Sequence, residues 1–367
     1  MHFRTAAARR FAGLVPMLCL LALMLAACSP DHYPQTALRP LSDYGRIGDD
    51  IQTETFKWAV AVFVLVEGAL LYAIFRFRGK PGDPEPQQIH GNTTIEIIWT
   101  VIPALILAAI AVPTVKGIFE TNTIPSENAF RVEVVGHQWW WEFRYPDYKV
   151  TTANELHIPV GQTVAFHMST VDVVHSFWPA RFGGKRDVFP NRETRMWFKA
   201  EQPGEYPGQC GEFCGIQHGR MAFRIVAQRP EEFKAWAEHM QSLKARPPAP
   251  SGPPPGAPKP GQKPEQGPPA PAEAAAQTAG EKLFLSKGCV GCHALNAYEA
   301  PKGLIGPNLA NVGARSYIAA GWLKNTDENL AHWIMNPQGV KQGVLMPNLG
   351  VTADEAKQLA AYLRAHK

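Results

Sequence analysis

The sequence predicts a multidomain protein with an N-terminal transmembrane α-helical hairpin, a β-sandwich and a C-terminal helical domain. Two apolar stretches, at about 56–75 and 95–118, are each close to the ~20 residues that a helix needs to cross a bilayer. From about 125 to 230, short alternating apolar runs are separated by Gly and Pro, which is typical of a sandwich. The last block, about 276–367, opens with a helix-like run, and its final helix begins at a capping-box pattern at 352–355.

Length, charge and cysteine content limit the classes of function. At 367 residues the chain has room for two or three domains. Its formal charge of +4 includes no basic run of the kind that follows a nucleic-acid backbone, so we expect no nucleic-acid partner. Each of the six cysteines falls in the leader or in a motif described below, so none is needed for a structural disulfide.

Residues 1–28 have the pattern of an export signal. Three arginines form the positive start, and the apolar core at 14–27 is too short to span a bilayer. The core ends in Leu-Ala-Ala-Cys, which resembles a bacterial lipobox, and we therefore expect lipidation of Cys28 outside the cytoplasmic membrane. The alternative is an ordinary signal that is cut nearby, with Cys28 incidental.

Residues 29–120 contain the two predicted spans, so membrane lipid is an expected partner. The basic loop at 76–80 should stay cytoplasmic by the positive-inside bias, and everything after the second span then faces outward. Glu67 lies in mid-span, and we expect it to face a partner subunit because an ionised carboxylate in hydrocarbon is costly. Glu96 lies near the cytoplasmic end of the second span, where it could be a snorkelling interfacial acid.

Four side chains within twelve residues form a dense group of candidate metal ligands: Cys210, Cys214, His218 and Met221. Thiolate and thioether ligands select copper or other thiophilic metals, and imidazole suits copper and zinc alike. A second imidazole, His175, lies upstream on an apolar, strand-like run. One thiolate would suggest a mononuclear copper site, whereas two thiolates could bridge two copper ions. A disulfide between the cysteines and a zinc site are alternatives, but neither gives Met221 or His175 a function.

We place this group in the sandwich domain, at about 121–240, on loops at one end of a rigid scaffold. The turn-rich letters GEYPG at 204–208 predict a loop immediately before the first cysteine. Three consecutive indoles, at 139–141, cannot all face inward on a strand, because alternate side chains point to opposite faces. At least one of them should therefore reach a surface or a seam.

A c-type haem attachment signal, C-x-x-C-H, occupies residues 289–293. Cys289 and Cys292 would add to the vinyl groups as thioethers, and His293 would bind the iron on one face. A zinc or dithiol site is the alternative for this spacing. A linker at about 241–275 precedes the block, and twelve prolines at 246–271 favour an extended chain with a limit of roughly 80 Å. Such a tether would let the block reach the sandwich domain at a millimolar-range effective concentration.

The CxExCGxxHxxM loop, with His175 in a DVxHSFW context, resembles the binuclear CuA site of cytochrome c oxidase subunit II. The resemblance implies a cupredoxin-like sandwich and a pair of copper ions. The implied ligands are both cysteine sulfurs as bridges, two histidines, and weaker bonds from a thioether and a backbone carbonyl: Cys210, Cys214, His175, His218, Met221 and Glu212.

The same resemblance implies three further roles. The GHQW motif makes Trp139 the residue through which electrons reach the copper pair, while packing against the membrane or subunit I is the alternative for Trp140 and Trp141. The carboxylate of Glu212 resembles the ligand of a magnesium ion shared with subunit I, and oxygen ligands suit that cation. Glu96 corresponds to a glutamate at the mouth of a proton pathway in subunit I.

The C-terminal block resembles the small class I cytochrome c, which is all-α. The sixth iron ligand is then a methionine before a proline, which fits Met346, with Met335 as the rival. The resemblance also implies that the carbonyl of Pro307 accepts a hydrogen bond from His293 and orients it. Ligation by Met and His raises the haem potential, which suits electron transfer to copper.

Together these resemblances predict subunit II of a bacterial caa-type oxidase with a fused cytochrome c. The implied partners are subunit I, other oxidase subunits and a soluble or membrane cytochrome c donor. The implied location is the cytoplasmic membrane, with both metal domains on its outer side. A copper-containing nitric oxide reductase subunit and a free-standing tethered electron carrier are the alternatives. A quinol oxidase is disfavoured because that group lacks the copper ligands present here.

Overall fold

The protein is described here by a computed structural model. It covers residues 19–20, 33–79, 81–85, 87–88, 90–243, 272–295 and 305–367, with backbone alone for 272–278. Cys28 and the Pro-rich segment at 246–271 lie outside the described residues.

The described chain contains two long helices, a ten-stranded β domain closed by a helix, and a C-terminal helical domain. The helices are α1 (Asp43–Arg76), α2 (Thr93–Asn122), α3 (Pro230–Ser242), α4 (Ala272–Ser286), α5 (Asp327–Met335), α6 (Pro337–Val340) and α7 (Ala353–Arg364). The strands are β1 (Phe130–His137), β2 (Trp140–Tyr145), β3 (Val150–Ala153), β4 (Glu155–Pro159), β5 (Thr163–Thr170), β6 (His175–Trp178), β7 (Arg186–Val188), β8 (Thr194–Lys199), β9 (Gly204–Cys210), β10 (Ala222–Gln228), β11 (Tyr317–Ile318) and β12 (Leu323–Lys324).

Helices α1 and α2 confirm the predicted hairpin and extend beyond the predicted spans at both ends. Both are long and apolar enough to cross a membrane, and no residue of either apolar window is buried within the protein. Their apolar side chains therefore need lipid or another subunit as a neighbour. The first helix begins at Asp43, well before the span predicted from 56.

The start of α1 is packed into the β domain. The Ser42 hydroxyl caps the helix by accepting from the Gly45 amide at 2.9 Å, and it donates to the Phe182 carbonyl at 2.6 Å. A Cβ on Gly183, whose φ is +82°, would lie 2.3 Å from Gly45 Cα. Two glycines thus let the helix and the loop after β6 approach closely, which joins the membrane hairpin firmly to the β domain.

The β domain, called the sandwich domain below, consists of two five-stranded sheets. Their strand orders are β3-β2-β1-β5-β8 and β4-β10-β9-β6-β7. Strand β1 runs parallel to β5, and β4 runs parallel to β10. Aromatic rings fill the space between the sheets. The rings of Phe177 and Phe223 are stacked, with their centres 4.7 Å apart. The predicted cupredoxin-like sandwich is confirmed.

The loop predicted at 204–208 is wrong, because these residues belong to strand β9. They pair antiparallel with β10, and Gly208 lies opposite Phe223. A Cβ on Gly208 would lie 2.2 Å from Cζ of the Phe223 ring. The glycine is therefore present because an aromatic ring packs against the strand backbone, and it does not mark a break in the sheet.

The three indoles at 139–141 face three different surroundings, in agreement with the strand argument. Trp141 is fully buried in the core between the sheets. Trp140 points away from that core and packs with Ala153 and with Ala320 of the C-terminal domain. Trp139 is partly buried in the turn between β1 and β2. The alternative of packing against the membrane or subunit I is therefore wrong for Trp140 and Trp141, because other residues of this chain cover both rings.

The described residues of the C-terminal domain, 272–295 and 305–367, are helical as predicted, apart from the two-residue ladder of β11 and β12. The predicted capping box is present at the start of α7, where the Thr352 amide donates to the Glu355 carboxylate at 2.8 Å. The apolar face of α7 is buried against α4 and α5, and it includes Leu359, Tyr362 and Leu363. Helix α3 ends at Ser242 and α4 begins at Ala272, so both reach slightly into the linker predicted at 241–275.

Candidate metal and haem sites

The predicted metal ligands come together at one end of the sandwich domain. The sulfur atoms of Cys210 and Cys214 are 3.7 Å apart. Nδ1 of His175 lies 3.8 Å from the Cys210 sulfur, and Nδ1 of His218 lies 3.7 Å from the Cys214 sulfur. The Met221 thioether is 3.8 Å from the Cys214 sulfur. Each thiol therefore faces the other thiol and one imidazole.

This geometry separates the alternatives for the two thiols. A sulfur–sulfur distance of 3.7 Å excludes a disulfide, whose bond length is about 2.05 Å. Donor atoms of His175, Cys210 and Cys214 lie within 4.8 Å of one another, which a zinc ion would also tolerate. The fully buried Met221 sulfur favours copper, because thioethers are ligands for soft metals. The donor set therefore fits copper.

The ends of two paired strands place half of the site. His175 opens β6, and Cys210 closes the neighbouring strand β9. The amide of Gly211 donates to the Ser176 carbonyl at 2.9 Å, and the amide of Cys210 donates to the Met221 carbonyl at 2.9 Å. Backbone hydrogen bonds thus hold these ligands in place before any metal binds.

We refer to residues 210–221 as the metal loop. The backbone carbonyl of Glu212 lies 3.4 Å from the Cys210 sulfur, whereas the side chain of Glu212 is exposed. His218 begins a single 3-10 turn that ends at Arg220. The loop therefore brings a carbonyl, an imidazole and a thioether to the same pair of sulfurs.

The hydrogen bond between the two thiols favours ionisation of Cys210 and disfavours ionisation of Cys214. A hydrogen bond with Cys214 lowers the pKa of Cys210 to about 3, although burial acts in the opposite direction. The same hydrogen bond, together with burial, raises the pKa of Cys214. Because a metal binds thiolates, loading the site must release the second proton.

Asp172 belongs to the site and was not predicted from the sequence. Its carboxylate lies 2.8 Å from Nε2 of His175 and also accepts the Gln138 amide at 2.7 Å. Burial alone would lower the pKa of His175, but hydrogen bonds with Asp172 and Cys210 outweigh it and raise the pKa. The Asp172 contact directs Nδ1 of His175 towards the sulfur. The available signal was the position of Asp172 three residues before the histidine.

A second site is a cleft in the C-terminal domain with about 1360 Å³ of atom-free space, part of which is open to solvent. Cys289, Cys292 and His293 line it on one side, and Met346 lines it as well. A short 3-10 turn presents the two cysteines. The cleft therefore contains all four residues predicted for a covalently attached haem.

His293 is held as the resemblance implied. Its Nδ1 lies 2.8 Å from the Pro307 carbonyl, which leaves Nε2 as the atom available for iron. Burial lowers the pKa of His293, so the ring is neutral at physiological pH, as a ligand must be. Gly306 packs on the ring, since a Cβ there would lie 2.5 Å from Cε1. This cradle fits an axial histidine.

The cleft also distinguishes the two methionines. Met346 is part of the lining, whereas Met335 is the last residue of α5 and is 39% exposed. Arg315 lines the same cleft and donates to Asn311 at 2.8 Å. Burial lowers the pKa of Arg315 to about 10, so it remains a cation at neutral pH. A buried cation beside an apolar cleft suits haem, whose propionate groups are acidic.

Trp139 connects the two sites. Its indole nitrogen donates to the carbonyl of Cys214 at 3.0 Å, and its side chain lines the cleft of the C-terminal domain. Trp140 lines the same cleft and donates to the Ile305 carbonyl at 3.1 Å. The C-terminal domain is therefore docked with its cleft over the thiol pair, and an indole lies between them.

The acidic residues of the helices lie far from both sites in the chain. The Glu96 carboxylate accepts the Asn92 amide at 3.1 Å and so helps to cap α2. Glu67 lines a shallow groove between α1 and α2 that also contains Ile106 and Ile110. Both positions remain compatible with contacts to another subunit.

Comparisons with known proteins agree with this architecture. Residues 46–116 match the family described as "Cytochrome C oxidase subunit II, transmembrane domain", residues 149–228 match its "periplasmic domain", and residues 277–367 match "Cytochrome c". Cytochrome c oxidase subunit 2 of Alkalihalophilus pseudofirmus is 35% identical, over 95% of this chain and 96% of the relative. The Bacillus subtilis protein of the same name is 30% identical, over 96% and 97%.

Among solved structures, the periplasmic domain of subunit II of cytochrome oxidase (CoxB) of Bradyrhizobium japonicum is 30% identical to this chain. It covers 32% of this chain and 96% of its own, with a TM-score of 0.31. The fold and the two sites define a membrane-anchored protein with a periplasmic cupredoxin-like domain and a c-type cytochrome domain. The chain belongs to the cytochrome c oxidase subunit II family, in the form with a fused cytochrome c. Membership implies copper in the sandwich domain and haem in the C-terminal domain.

Proposed function

We propose that this chain is the electron-relay subunit of a haem-copper cytochrome c oxidase. Electrons from a cytochrome c donor would reach the C-terminal domain, pass to the sandwich domain and continue to subunit I. There oxygen is reduced to water, and protons are pumped. The names of the relatives support the oxidase complex. The main structural support for the proposed electron relay is the position of Trp139, whose indole lines the haem cleft and donates to the Cys214 carbonyl.

The residues that would hold each group follow from the two sites. A binuclear copper centre would be held by two thiolates, two imidazoles, a thioether and a carbonyl oxygen: Cys210, Cys214, His175, His218, Met221 and Glu212. A haem would be held by Cys289 and Cys292 through thioether bonds and by His293 and Met346 as iron ligands: all four line the cleft. Bound there, the two groups supply one-electron redox chemistry.

The protein contributes rigidity and exclusion of water. His175 and Met221 are fully buried, and Cys210 is 2% exposed. Each of these ligands belongs to or directly follows a strand or turn held by backbone hydrogen bonds. A ligand set that cannot move or admit water changes little when an electron arrives, which favours fast transfer. Trp139 provides the aromatic contact between the domains, and its N–H fixes the ring against the metal loop.

The membrane and surface predictions complete the proposal. Two passes through the cytoplasmic membrane would leave 76–80 inside and both metal domains outside. Lipidation at Cys28 would add a second anchor. The exposed carboxylate of Glu212 is available to a magnesium ion whose other ligands come from subunit I. Glu96 would face the proton pathway of that subunit.

Metal analysis with low-temperature electron paramagnetic resonance tests the copper assignment on the full chain within its purified complex. We expect one covalently attached haem per chain and, in the copper spectrum, a hyperfine pattern from one electron shared equally by two coppers. A pattern from a single copper would point to a mononuclear carrier. Zinc without a copper signal after reconstitution would refute the relay.

The role of Trp139 is tested by rapid reduction of the haem, followed by optical detection of electron arrival at copper. Trp139→Ala should slow this transfer while the metal content and both spectra stay unchanged. Trp139→Phe retains a ring but loses the hydrogen bond to Cys214, so it should fall between wild type and Trp139→Ala. A wild-type rate in Trp139→Ala would exclude the indole from the route.

A further inference from the structure

A buried lysine of the C-terminal domain holds the metal loop of the sandwich domain. Lys341 is 2% exposed, and its ammonium donates to the Arg220 carbonyl at 2.7 Å and to the Ala319 carbonyl at 3.0 Å. Arg220 directly precedes Met221. The lysine therefore bridges a loop of its own domain and the turn that carries the thioether.

Further contacts surround this lysine. Gln217 of the metal loop is 4% exposed and donates through its amide nitrogen to the Gln342 carbonyl. The Arg220 guanidinium donates to the Val340 carbonyl at 3.2 Å and lies 4.5 Å from the centre of the Trp322 ring. Such a guanidinium–indole contact is attractive. Each domain thus donates side-chain hydrogen bonds to backbone carbonyls of the other domain across the interface.

Two residues of the C-terminal domain have an unusual backbone conformation at this interface. Ala319 and Ala320 have φ values of +52° and +57°, a conformation that residues other than glycine rarely adopt. The strained pair presents the Ala319 carbonyl to Lys341 and the Ala320 carbonyl to the amide of Ala222, at 3.1 Å. Strain of this kind persists only where the surrounding structure compensates for it.

We propose that residues 319–322 and 340–342 form a latch on the metal loop, in which Lys341 is a positioning residue for the turn that carries Met221. In the docked form the buried side-chain nitrogen of Lys341 has one carbonyl partner from each domain, and a shift of the turn before Met221 would leave a buried donor without one of them, which is costly. Docking of the C-terminal domain and the geometry of the metal loop are therefore one linked equilibrium. The inference rests on the proposed function only in taking Met221 as a copper ligand.

The experiment uses the full chain in its purified complex, with a protease site inserted in the linker at 246–271. After cleavage, the latch and the rest of the interface alone hold the C-terminal domain, so its release measures docking. The copper resonance spectrum of the uncut complex reports the geometry of the metal loop. The variant is Lys341→Ala, and the matched control is Lys357→Ala, which removes an exposed lysine from α7.

With Lys341→Ala we expect release at least tenfold faster than in wild type and a shifted copper hyperfine spectrum, at unchanged haem and copper content. Lys357→Ala should leave both measurements at wild-type values. If Lys341→Ala prevents folding, Trp322→Ala replaces it. That ring is 46% exposed and contacts Arg220, so its loss should speed release without unfolding the domain.

Wild-type release and a wild-type spectrum in a folded Lys341→Ala protein would overturn the latch. Faster release with an unchanged copper spectrum would overturn the positioning role of Lys341. Failure of the relay itself would be recognised separately, because the wild-type complex would then lack the shared-electron copper signal. Release of the C-terminal domain can still be followed by an affinity tag in that case.

Discussion

Asp172→Asn should weaken copper binding while the sandwich domain stays folded. The substitution preserves the size of the side chain but removes the carboxylate that contacts Nε2 of His175 at 2.8 Å. A hydrogen bond to a charged group contributes about 1.5–3 kcal/mol. At about 1.4 kcal/mol per tenfold, the loss in copper affinity is about ten- to a hundredfold. The Asp172 side chain is 27% exposed, so solvent screening favours the lower end of that range.

Chelator competition on the purified complex measures this affinity, with the copper spectrum recorded at each step. Asp147→Asn is the control, because Asp147 is exposed in the turn between β2 and β3. The thermal unfolding temperature should be nearly unchanged in both variants. Equal copper affinity for Asp172→Asn and wild type would show that His175 is oriented without the carboxylate, and the argument from the hydrogen bond would fail.

Three other predictions follow from buried groups. Trp141→Ala should lower the free energy of unfolding by about 3–5 kcal/mol, because the ring is fully buried. A decrease of less than about 1 kcal/mol, measured by calorimetry, would contradict this prediction. Gly306→Ala should prevent stable haem attachment, since the added Cβ would lie 2.5 Å from His293; normal haem content on a denaturing gel would refute this. Burial and Arg220 lower the pKa of Lys341 from 10.5 to about 7, so the docked form binds fewer protons and docking should strengthen as pH rises from 7 to 10. Release of the C-terminal domain after linker cleavage should therefore become slower from pH 7 to 10, and Lys341→Met should make the release rate independent of pH over that range.

Local patterns in the sequence predicted the fold and the principal site residues. The cysteine and histidine spacings at 210–218 and 289–293 are short, so the ligands of each motif had to lie close together whatever the surrounding fold. Helix α7 could be predicted for the same reason, because its capping box and its apolar face are both local features of the sequence. The assignments of individual ligands to copper and haem remain predictions, as does lipidation of Cys28.

Features that depend on contacts between distant segments were missed. Gly208 reads as a turn residue until the ring of Phe223 is known to pack on it from the neighbouring strand. Asp172 acquires its function from a histidine whose orientation only the fold defines. Lys341 has the sequence context of an ordinary surface lysine, yet it is 2% exposed and donates to a carbonyl of the sandwich domain. In each case tertiary contacts outweighed the local preference of the residue.

The long first helix sets a fixed height for the copper site above the lipid. Its 34 residues extend for about 51 Å at 1.5 Å per residue, whereas the hydrocarbon layer is about 30 Å thick. About 20 Å of helix therefore projects beyond the hydrocarbon, and its outer end is packed against the loop after β6. The first helix thus supports the sandwich domain from the membrane side through a packed contact. The sandwich domain therefore keeps a constant distance from the membrane, and the C-terminal domain docked on it is held at that same level.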